Sequence, residues 1–413
     1  MKMINSSRVL LLWLFMAMSM NGIAAENGKH WVATWGESPF GFLAFGNVPA
    51  PAPLVDQTLR QKLRISVGGE QVRIRFSNEL GTAPLVIGSA TVAIADKESA
   101  IMPASLRTLT FSGQKGIMIP AGAPALSDPV DLKVGDLAEL AISIYLPQSS
   151  KPESMHMGRT AYVTTAGDFT QAAKLEAATL GTNHFFLSGV YVNTTDKVSV
   201  VATFGDSITD GTASTPHAYA SWPDDLAARF SKGINGRKLA VINEGIAGNQ
   251  VLLDGAGVSA LARFDRDVLS TPGLTHIVVL EGINDIGTGG RAMPGSTAPV
   301  QAERTPAELI NGYRQLIARA HANGIRIIGA TLTPFAGTLG GYYTPAKDEV
   351  RVAINKWIRE GGEFDGVIDF DAAVRDETNS REMKKDYNSG DKLHPGDAGY
   401  RKMAESVDPA LFR

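Results

Sequence analysis

The feature that most constrains the fold is a change of rhythm near residue 198, where short apolar runs begin to alternate with helix-length segments. Alternating strands and helices are the pattern of βαβ units, which place parallel strands in one sheet. The predicted strands end near Phe204, Asn243, Glu281, Leu332 and Phe370. Residues 197–413 are therefore predicted to form a three-layer α/β/α sandwich with about five parallel strands.

Helix signals support this prediction. Thr305-Pro306-Ala307-Glu308 has the form of a capping box with proline in the first turn, and apolar residues follow it at helical spacing. Thr344-Pro345 opens a second predicted helix, and a third runs from about Asp397 to Val407. Gly324 and Gly361 stand where the first two helices would end.

Residues 26–196 have a different pattern. Leu63–Val67, Val72–Phe76 and Leu140–Tyr145 fit strands, and Gly, Pro, Asn and Ser clusters separate them. Many short strands with turn signals favour an antiparallel, sandwich-like domain, although the same strands could instead extend the parallel sheet. Residues 193–196 are the predicted linker.

An aromatic-rich stretch lies near the start of this region. Its members are Trp31, Trp35, Phe40, Phe42 and Phe45. Such residues either stack on a sugar face or fill a core or a domain interface, and the second role is the more common one.

The first residues read as a cleaved secretory signal peptide over 1–25. Lys2 and Arg8 precede an apolar run, and small residues around Ala24 and Ala25 offer a cleavage site. The apolar run is shorter than the ~20 residues of a spanning helix. We therefore expect a secreted or periplasmic protein without stable membrane insertion after cleavage.

Composition excludes several classes of function. The chain has no cysteine, so disulfides and Cys-type zinc sites are excluded. Its net charge is −3 and its Lys and Arg residues are scattered, which argues against nucleic acid as a partner. The expected partner is a small-molecule or polysaccharide substrate, and the oligomeric state stays undetermined.

The chemistry centres on Gly205-Asp206-Ser207, directly after the first predicted parallel strand. Ligands bind at the carboxyl ends of such strands. A serine there is either a turn cap or a nucleophile, and a nucleophile needs a base held by a third group. His394 is the histidine placed for that role, because Asp391 lies three residues before it in a glycine-flanked turn.

Two later strand-end loops offer donors for a developing oxyanion. The first contains Asn243, Gly245 and Gly248, and the second contains Gly282, Asn284 and Asp285. The backbone N–H of Gly248 can approach a ligand closely, and Asn284 offers its side-chain amide. Each loop alone would more commonly be an ordinary turn.

Taken together, these four blocks resemble the SGNH hydrolases, also called the GDSL esterase/lipase family. The blocks occur in the family's order, and the first reads Gly-Asp-Ser-Ile in place of Gly-Asp-Ser-Leu. The resemblance covers about residues 198–413. It implies a flavodoxin-like parallel sheet, a Ser207, Asp391 and His394 triad, and an oxyanion hole formed by the Ser207 N–H, the Gly248 N–H and the Asn284 amide.

The expected function is hydrolysis of carboxylic esters through an acyl-enzyme, with no cofactor and no metal. Exported members of the family often deacetylate polysaccharides, so a short acyl group on carbohydrate is the first choice of substrate. Longer lipid acyl chains are the alternative. A carbohydrate-binding protein with a vestigial hydrolase domain is a third interpretation, against which the intact set of four motifs counts.

Several residues near the site allow other interpretations. Asp206, Asp210 and Asp285 are either metal ligands or acceptors for loop N–H groups, and the second role is more common. His217 has no ligand pattern around it, and Asp371 and Asp386 are rival partners for His394. Segment 287–304 is either a substrate-side flap or a disordered loop, and segment 338–343 either walls the substrate site or packs locally.

Overall fold

The computed structural model describes residues 28–41, 51–291 and 299–413. The predicted signal peptide, Phe42 and Phe45 lie outside these ranges, as does the middle of the 287–304 segment.

The region before residue 198 is built of antiparallel strands. Its strands are β1 (His30–Gly36), β2 (Gln57–Arg64), β3 (Gly69–Asn78), β4 (Leu85–Ile87), β5 (Ser89–Ile94), β6 (Arg107–Leu109), β7 (Ile117–Ile119), β8 (Ala123–Leu126), β9 (Val130–Val134), β10 (Glu139–Leu146), β11 (Met155–Ala166), β12 (Thr179–Phe185) and β13 (Leu187–Thr194). A short 3₁₀ turn at Pro103–Ser105 interrupts them.

These strands form their own sheets. One has the order β1-β13-β3-β8 with β9 also on β3, a second has the order β12-β11-β2-β10-β5-β6, and β4 pairs with β7. Within the described ranges none of them joins the parallel sheet, so the alternative that they extend it is wrong.

From residue 198 the chain alternates strands and helices. The strands are β14 (Val198–Gly205), β15 (Lys238–Gly245), β16 (Leu274–Leu280), β17 (Arg326–Ala330) and β18 (Gly366–Ile368). The helices are α1 (Ser207–Asp210), α2 (Trp222–Arg229), α3 (Ala260–Phe264), α4 (Ile283–Thr288), α5 (Pro306–Ala322), α6 (Pro345–Glu360), α7 (Phe370–Val374) and α8 (Asp397–Ser406). A π-helical turn (Asp265–Leu269) continues α3, and 3₁₀ turns lie at Lys385–Tyr387 and Pro409–Phe412.

The five later strands form one parallel sheet in the order β15-β14-β16-β17-β18. Strand β14 comes first in the chain but lies inside the sheet, and the chain steps outward from it first to β15 and then to β16. In open α/β sheets this reversal creates a crevice at the carboxyl ends of the central strands. The loop that follows β14 carries Ser207.

The core explains how the two regions are joined. Buried apolar side chains form one continuous cluster that includes Val72 and Val190 of the N-terminal sheets and Val200 and Ile277 of the parallel sheet. Phe40 is buried and its ring packs edge-on against His156, with 5.5 Å between ring centroids. This aromatic residue therefore fills a core, as the more common of the two interpretations holds.

Some element boundaries differ from the sequence prediction. Strand β2 ends at Arg64 rather than Val67, because the backbone and hydroxyl of Ser66 both donate to the Thr34 carbonyl. Strand β17 ends before Leu332, whose N–H donates to the Asn355 side chain. The predicted linker is shorter, since β13 runs to residue 194.

Among the described residues, no helix combines the length and the apolar character that crossing a bilayer requires.

The capping box of α5 provides a test of local stability. The Thr305 hydroxyl accepts from the Glu308 N–H, and the Glu308 carboxylate accepts from the Thr305 N–H. We expect Thr305→Ala to lower the free energy of unfolding by about 1 kcal/mol, because it removes the hydroxyl that accepts from the Glu308 N–H and leaves that donor unpaired. Chemical denaturation measures the change.

The matched control is Thr344→Ala at the start of α6. Thr344 caps Lys347, and no reciprocal bond completes a box there. We expect a smaller loss at this helix. Equal losses at the two helices would contradict a contribution of the additional bond from the Thr305 hydroxyl to the Glu308 carboxylate.

Candidate active site

The nucleophile candidate stands at a strand-to-helix turn. Strand β14 ends at Gly205, Asp206 is the N-cap residue, and Ser207 is the first residue of α1. The Asp206 carboxylate accepts from the Ile208 N–H at 2.9 Å. A Cβ on Gly205 would lie 2.2 Å from the Leu280 carbonyl oxygen, so this tight turn requires glycine. Ser207 is 5% exposed, and it lies at the carboxyl edge of the sheet.

The structure brings His394 and Asp391 to this serine. The His394 Nε2 lies 2.9 Å from the Ser207 Oγ, and the His394 Nδ1 lies 2.5 Å from the Asp391 carboxylate. A carboxylate accepts the Nδ1 proton, which leaves Nε2 free to accept the proton of the serine hydroxyl. The three side chains therefore lie in one hydrogen-bonded line, with the His394 ring between Ser207 and Asp391.

Asp391 is held in its charged form. Partial burial acts to raise the pKa of Asp391, but hydrogen bonds from the His394 ring and from the N–H groups of His394 and Leu393 outweigh it and hold the pKa below its ordinary value. An ionised carboxylate stabilises the imidazolium that forms when His394 takes a proton.

The loop that carries the base is closed on itself. The Asn388 side chain accepts from the N–H groups of Gly390 and Lys392, and the Ser389 N–H donates to the His394 carbonyl. Gly390 has φ +113°, which favours glycine. Sequence reasoning missed Asn388, since an Asx turn of this kind resembles any polar loop.

The predicted oxyanion donors lie on neighbouring loops. Gly248 has φ +79°, and a Cβ there would lie 2.7 Å from the Ala256 Cβ, so both backbone and space require glycine. Asn284 lies in the first turn of α4, and its Nδ2 donates to the Asn249 carbonyl at 2.9 Å. The second hydrogen of that amide nitrogen is the one available for a substrate oxygen.

Tyr342 orients the Asn284 amide. Its hydroxyl donates to the Asn284 Oδ1 at 2.8 Å. The amide oxygen is therefore on the Tyr342 side, and the amide nitrogen faces Asn249. The ring is buried and lies against Gly287, where a Cβ would come within 2.1 Å of it. From the sequence this tyrosine was only a candidate wall or a local packing residue. Its hydrogen bond to the amide depends on tertiary contacts.

Further bonds tie the strand-end loops to each other. The Asp285 carboxylate accepts from the N–H groups of Val251 and Leu252, just after the Gly248 loop. The buried Arg263 guanidinium donates at 2.9–3.0 Å to the Gly205 carbonyl, the Glu244 carbonyl and the Asn249 Oδ1. No local signal marks Arg263, because a charged residue in a short helix normally indicates a solvated face.

Three carboxyl groups behind the site, those of Asp206, Glu281 and Asp285, are buried. Burial raises the pKa of Asp206 to about 7 against the opposing effect of the Ile208 N–H and of His394. Burial likewise raises the pKa of Asp285 to about 6. Burial and the neighbouring Asp206 raise the pKa of Glu281 well above its ordinary value. The interior here favours protonated acids.

The other residues considered from the sequence have different partners. Asp206 and Asp285 accept loop N–H groups, as the more common interpretation holds. Asp210 instead accepts from His156 at 3.0 Å and from Arg159 at 2.8 Å, and both residues belong to β11. The His217 ring contacts the Thr160 hydroxyl, and Asp371 accepts from Arg351. Within the described ranges no group of three or more acidic or histidine side chains has the geometry to hold a metal ion.

Comparison with known proteins places this site in context. The model of the GDSL-like lipase/acylhydrolase family matches residues 203–402. No curated protein matches the chain.

Solved structures similar to the chain cover about half of it. One is a G-D-S-L family protein from Desulfitobacterium hafniense, with 22% identity, 50% of this chain and 97% of that chain covered, and a TM-score of 0.36. A second is a carbohydrate acetylesterase from Sinorhizobium meliloti, with 18% identity, coverage of 50% and 94%, and a TM-score of 0.37. A third is an aryl esterase from M. smegmatis, with 15% identity, coverage of 50% and 95%, and a TM-score of 0.38.

The amide of Asn284 and its tyrosine partner make a coupled prediction. We expect Asn284→Ala to lower kcat on an ester by about 10²–10³, the usual cost of losing one oxyanion donor. Tyr342→Phe should lower kcat less, with KM nearly unchanged, because it removes only the hydroxyl that holds the amide in place. Steady-state kinetics with p-nitrophenyl acetate measures both effects.

The double variant separates positioning from general packing. If Tyr342 acts through Asn284, then Tyr342→Phe has no further effect on kcat in the Asn284→Ala background. Additive losses in the two backgrounds would contradict this role.

The raised pKa of Asp206 gives a prediction for stability against pH. The pKa of an aspartate in an unfolded chain is about 3.9. The favourable contribution of the protonated, buried side chain is therefore fully present below about pH 4 and is lost as pH rises through the folded pKa near 7. Asp206→Asn keeps the capping oxygen and carries no charge at any pH.

We therefore expect Asp206→Asn to gain stability relative to the parent protein between pH 5 and pH 8, by at least about 1 kcal/mol, the equivalent of one pKa unit. Thermal unfolding at the two pH values measures the difference. Asp265→Asn, at an exposed aspartate, is the control. A stability difference between variant and parent that is constant with pH would contradict the raised pKa.

Proposed function

We propose, because residues 203–402 belong to the GDSL-like lipase/acylhydrolase family, that Ser207, His394 and Asp391 hydrolyse carboxylic esters through an acyl-enzyme. The family makes the chain a hydrolase of the esterase or lipase type. The single observation that carries the assignment to these residues is the unbroken line of hydrogen bonds from the Ser207 Oγ through the His394 ring to the Asp391 carboxylate.

The acylation step follows from this geometry. The Ser207 Oγ attacks the ester carbonyl carbon while the His394 Nε2 takes the hydroxyl proton. The carbonyl oxygen becomes an oxyanion, which the Ser207 N–H, the Gly248 N–H and the Asn284 amide stabilise. His394 then gives its proton to the departing alcohol oxygen as the carbon–oxygen bond breaks.

Deacylation repeats the sequence with water. His394 takes a proton from the water as its oxygen attacks the acyl carbon, and the proton passes to the Ser207 Oγ when the acid leaves. Asp391 stays ionised throughout and stabilises the imidazolium. This chemistry needs no cofactor.

For the substrate, we propose short acyl groups, chiefly acetyl, on carbohydrate. The resemblance of the four motifs to those of exported esterases supports this choice, together with the signal-peptide pattern at residues 1–25. The export itself is also a proposal, which the amino-terminal mass of the protein recovered outside the cytoplasm tests.

One observation favours longer acyl chains as the second candidate. A depression of about 520 Å³ adjoins Asp391 and is lined by Leu339 and Tyr342. Leu339 is 85% exposed and presents an apolar side chain at the wall of this depression. An extended acyl chain would cover it.

The discriminating measurement is a series of initial rates on p-nitrophenyl esters from acetyl to palmitoyl. We expect rates that fall steeply beyond butyryl, and we expect Ser207→Ala to lower them by about 10³ or more while the thermal unfolding midpoint stays close to that of the parent. Rates that hold or rise with chain length would favour the lipid alternative.

Two outcomes would contradict the proposed roles. Retained turnover in Ser207→Ala would exclude Ser207 as the nucleophile. A parent protein without activity on any ester would favour the binding-protein interpretation, in which the triad is vestigial.

A further inference from the structure

A cavity of about 470 Å³ lies between the N-terminal strands and the start of the catalytic region. Strands β1, β2, β11 and β12 form one wall, and residues 210–224 form most of the other. Its volume is within the range of about 300–1,000 Å³ typical of small-molecule sites.

The cavity adjoins the short helix that begins with Ser207, although Ser207 and His394 do not line it themselves. Asp210, which lines it, is the last residue of the helix that begins with Ser207, and residues three apart lie on the same side of a helix. With a rise of about 1.5 Å per residue, the two lie only about 4.5 Å apart along the axis. Ala247 also lines the cavity and directly precedes Gly248, the predicted oxyanion donor.

The charged groups of the cavity are already neutralised. Arg159 pairs with Glu37 at 2.9 Å and with Asp210 at 2.8 Å. Arg64 pairs with Asp224 at 3.7 Å, and its guanidinium lies over the ring of Tyr219. The third cation, Lys62, is 3.6 Å from Glu139. An anionic ligand would have to compete with these carboxylates, so the wall favours a neutral ligand.

The remaining lining suits a polyhydroxylated ring. The half-buried indole of Trp35 offers an apolar face. Among the described residues, the hydroxyls of Thr182 and Thr212 have no hydrogen-bond partner, and each can donate and accept. An apolar face beside free hydroxyl groups matches the C–H face and hydroxyls of a pyranose.

We propose that this cavity is a saccharide subsite, which binds an uncharged sugar residue next to the one whose ester reaches Ser207. The inference rests on the proposed function for its substrate class and names the part of the substrate that the N-terminal region binds. Strands β1 and β12 then belong to the substrate site.

The test fills the cavity from its exposed side. Thr182 lies on β12, is exposed and lines the cavity, so Thr182→Trp inserts a bulky ring there without disturbing the core. Thr179→Trp is the matched control, because Thr179 is an exposed threonine of the same strand and does not line the cavity. Both are compared on acetylated xylotetraose and on p-nitrophenyl acetate.

The expected result is a change of selectivity. Thr182→Trp should lower the ratio of kcat/KM for acetylated xylotetraose to that for p-nitrophenyl acetate by about tenfold, through KM, which corresponds to the loss of about 1.4 kcal/mol of binding. Thr179→Trp should leave this ratio as in the parent. An unchanged ratio in Thr182→Trp, or equal changes in the two variants, would overturn the subsite.

Binding measured without turnover separates the subsite from the esterase proposal. Calorimetry with unacetylated xylotetraose should show binding to Ser207→Ala that Thr182→Trp abolishes, even if the parent hydrolyses no sugar ester. Binding that survives Thr182→Trp would overturn the subsite, and tighter binding of trigalacturonate than of xylotetraose would overturn its neutral character.

Discussion

One buried guanidinium holds the catalytic edge of the sheet together. The Arg263 side chain is fully buried and donates to the ends of two strands, at the Gly205 and Glu244 carbonyls, and to the side chain of Asn249 in the Gly248 loop. Burying a charge is unfavourable unless every donor has a hydrogen-bond partner. These contacts therefore fix the guanidinium in one orientation. The Ser207 turn and the Gly248 loop are therefore positioned relative to each other by the same group, and Asn284 joins them through the Asn249 carbonyl.

The same burial accounts for the electrostatics behind the serine. Arg263 faces more carboxyl groups than one positive charge can neutralise, among them Glu244 and Glu281. Burial raises the pKa values of both acids by more than Arg263 lowers them, although Glu281 lies 3.7 Å from the guanidinium. Asp391 lies on the opposite side of the triad, where N–H groups and the His394 ring favour the charged form. The site thus combines an ionised Asp391 next to His394 with neutral acids beneath Ser207.

The N-terminal region takes part in this arrangement through its own buried charges. His156 and Arg159 of β11 hold Asp210 at the end of the nucleophile helix, and the Ser38 hydroxyl donates to the Glu244 carboxylate and accepts from Arg263. These contacts are buried and specific, and a continuous apolar core accompanies them. The position of α1 therefore depends on side chains that lie about fifty residues or more before it in the chain.

The sequence alone determined the elements and the chemistry, because both depend on local patterns. Periodicity and capping placed α5 and α6, short motifs at strand ends singled out Ser207 and Asn284, and a glycine-flanked turn singled out His394. Strand ends were less accurate, since side chains such as Asn355 and Ser66 compete for the last backbone groups. Tyr342, Arg263 and the pairing of Asp210 with β11 were decided only by the tertiary structure. Their partners are distant in sequence, and secondary-structure propensities carry no information about which buried polar groups will form hydrogen bonds with each other.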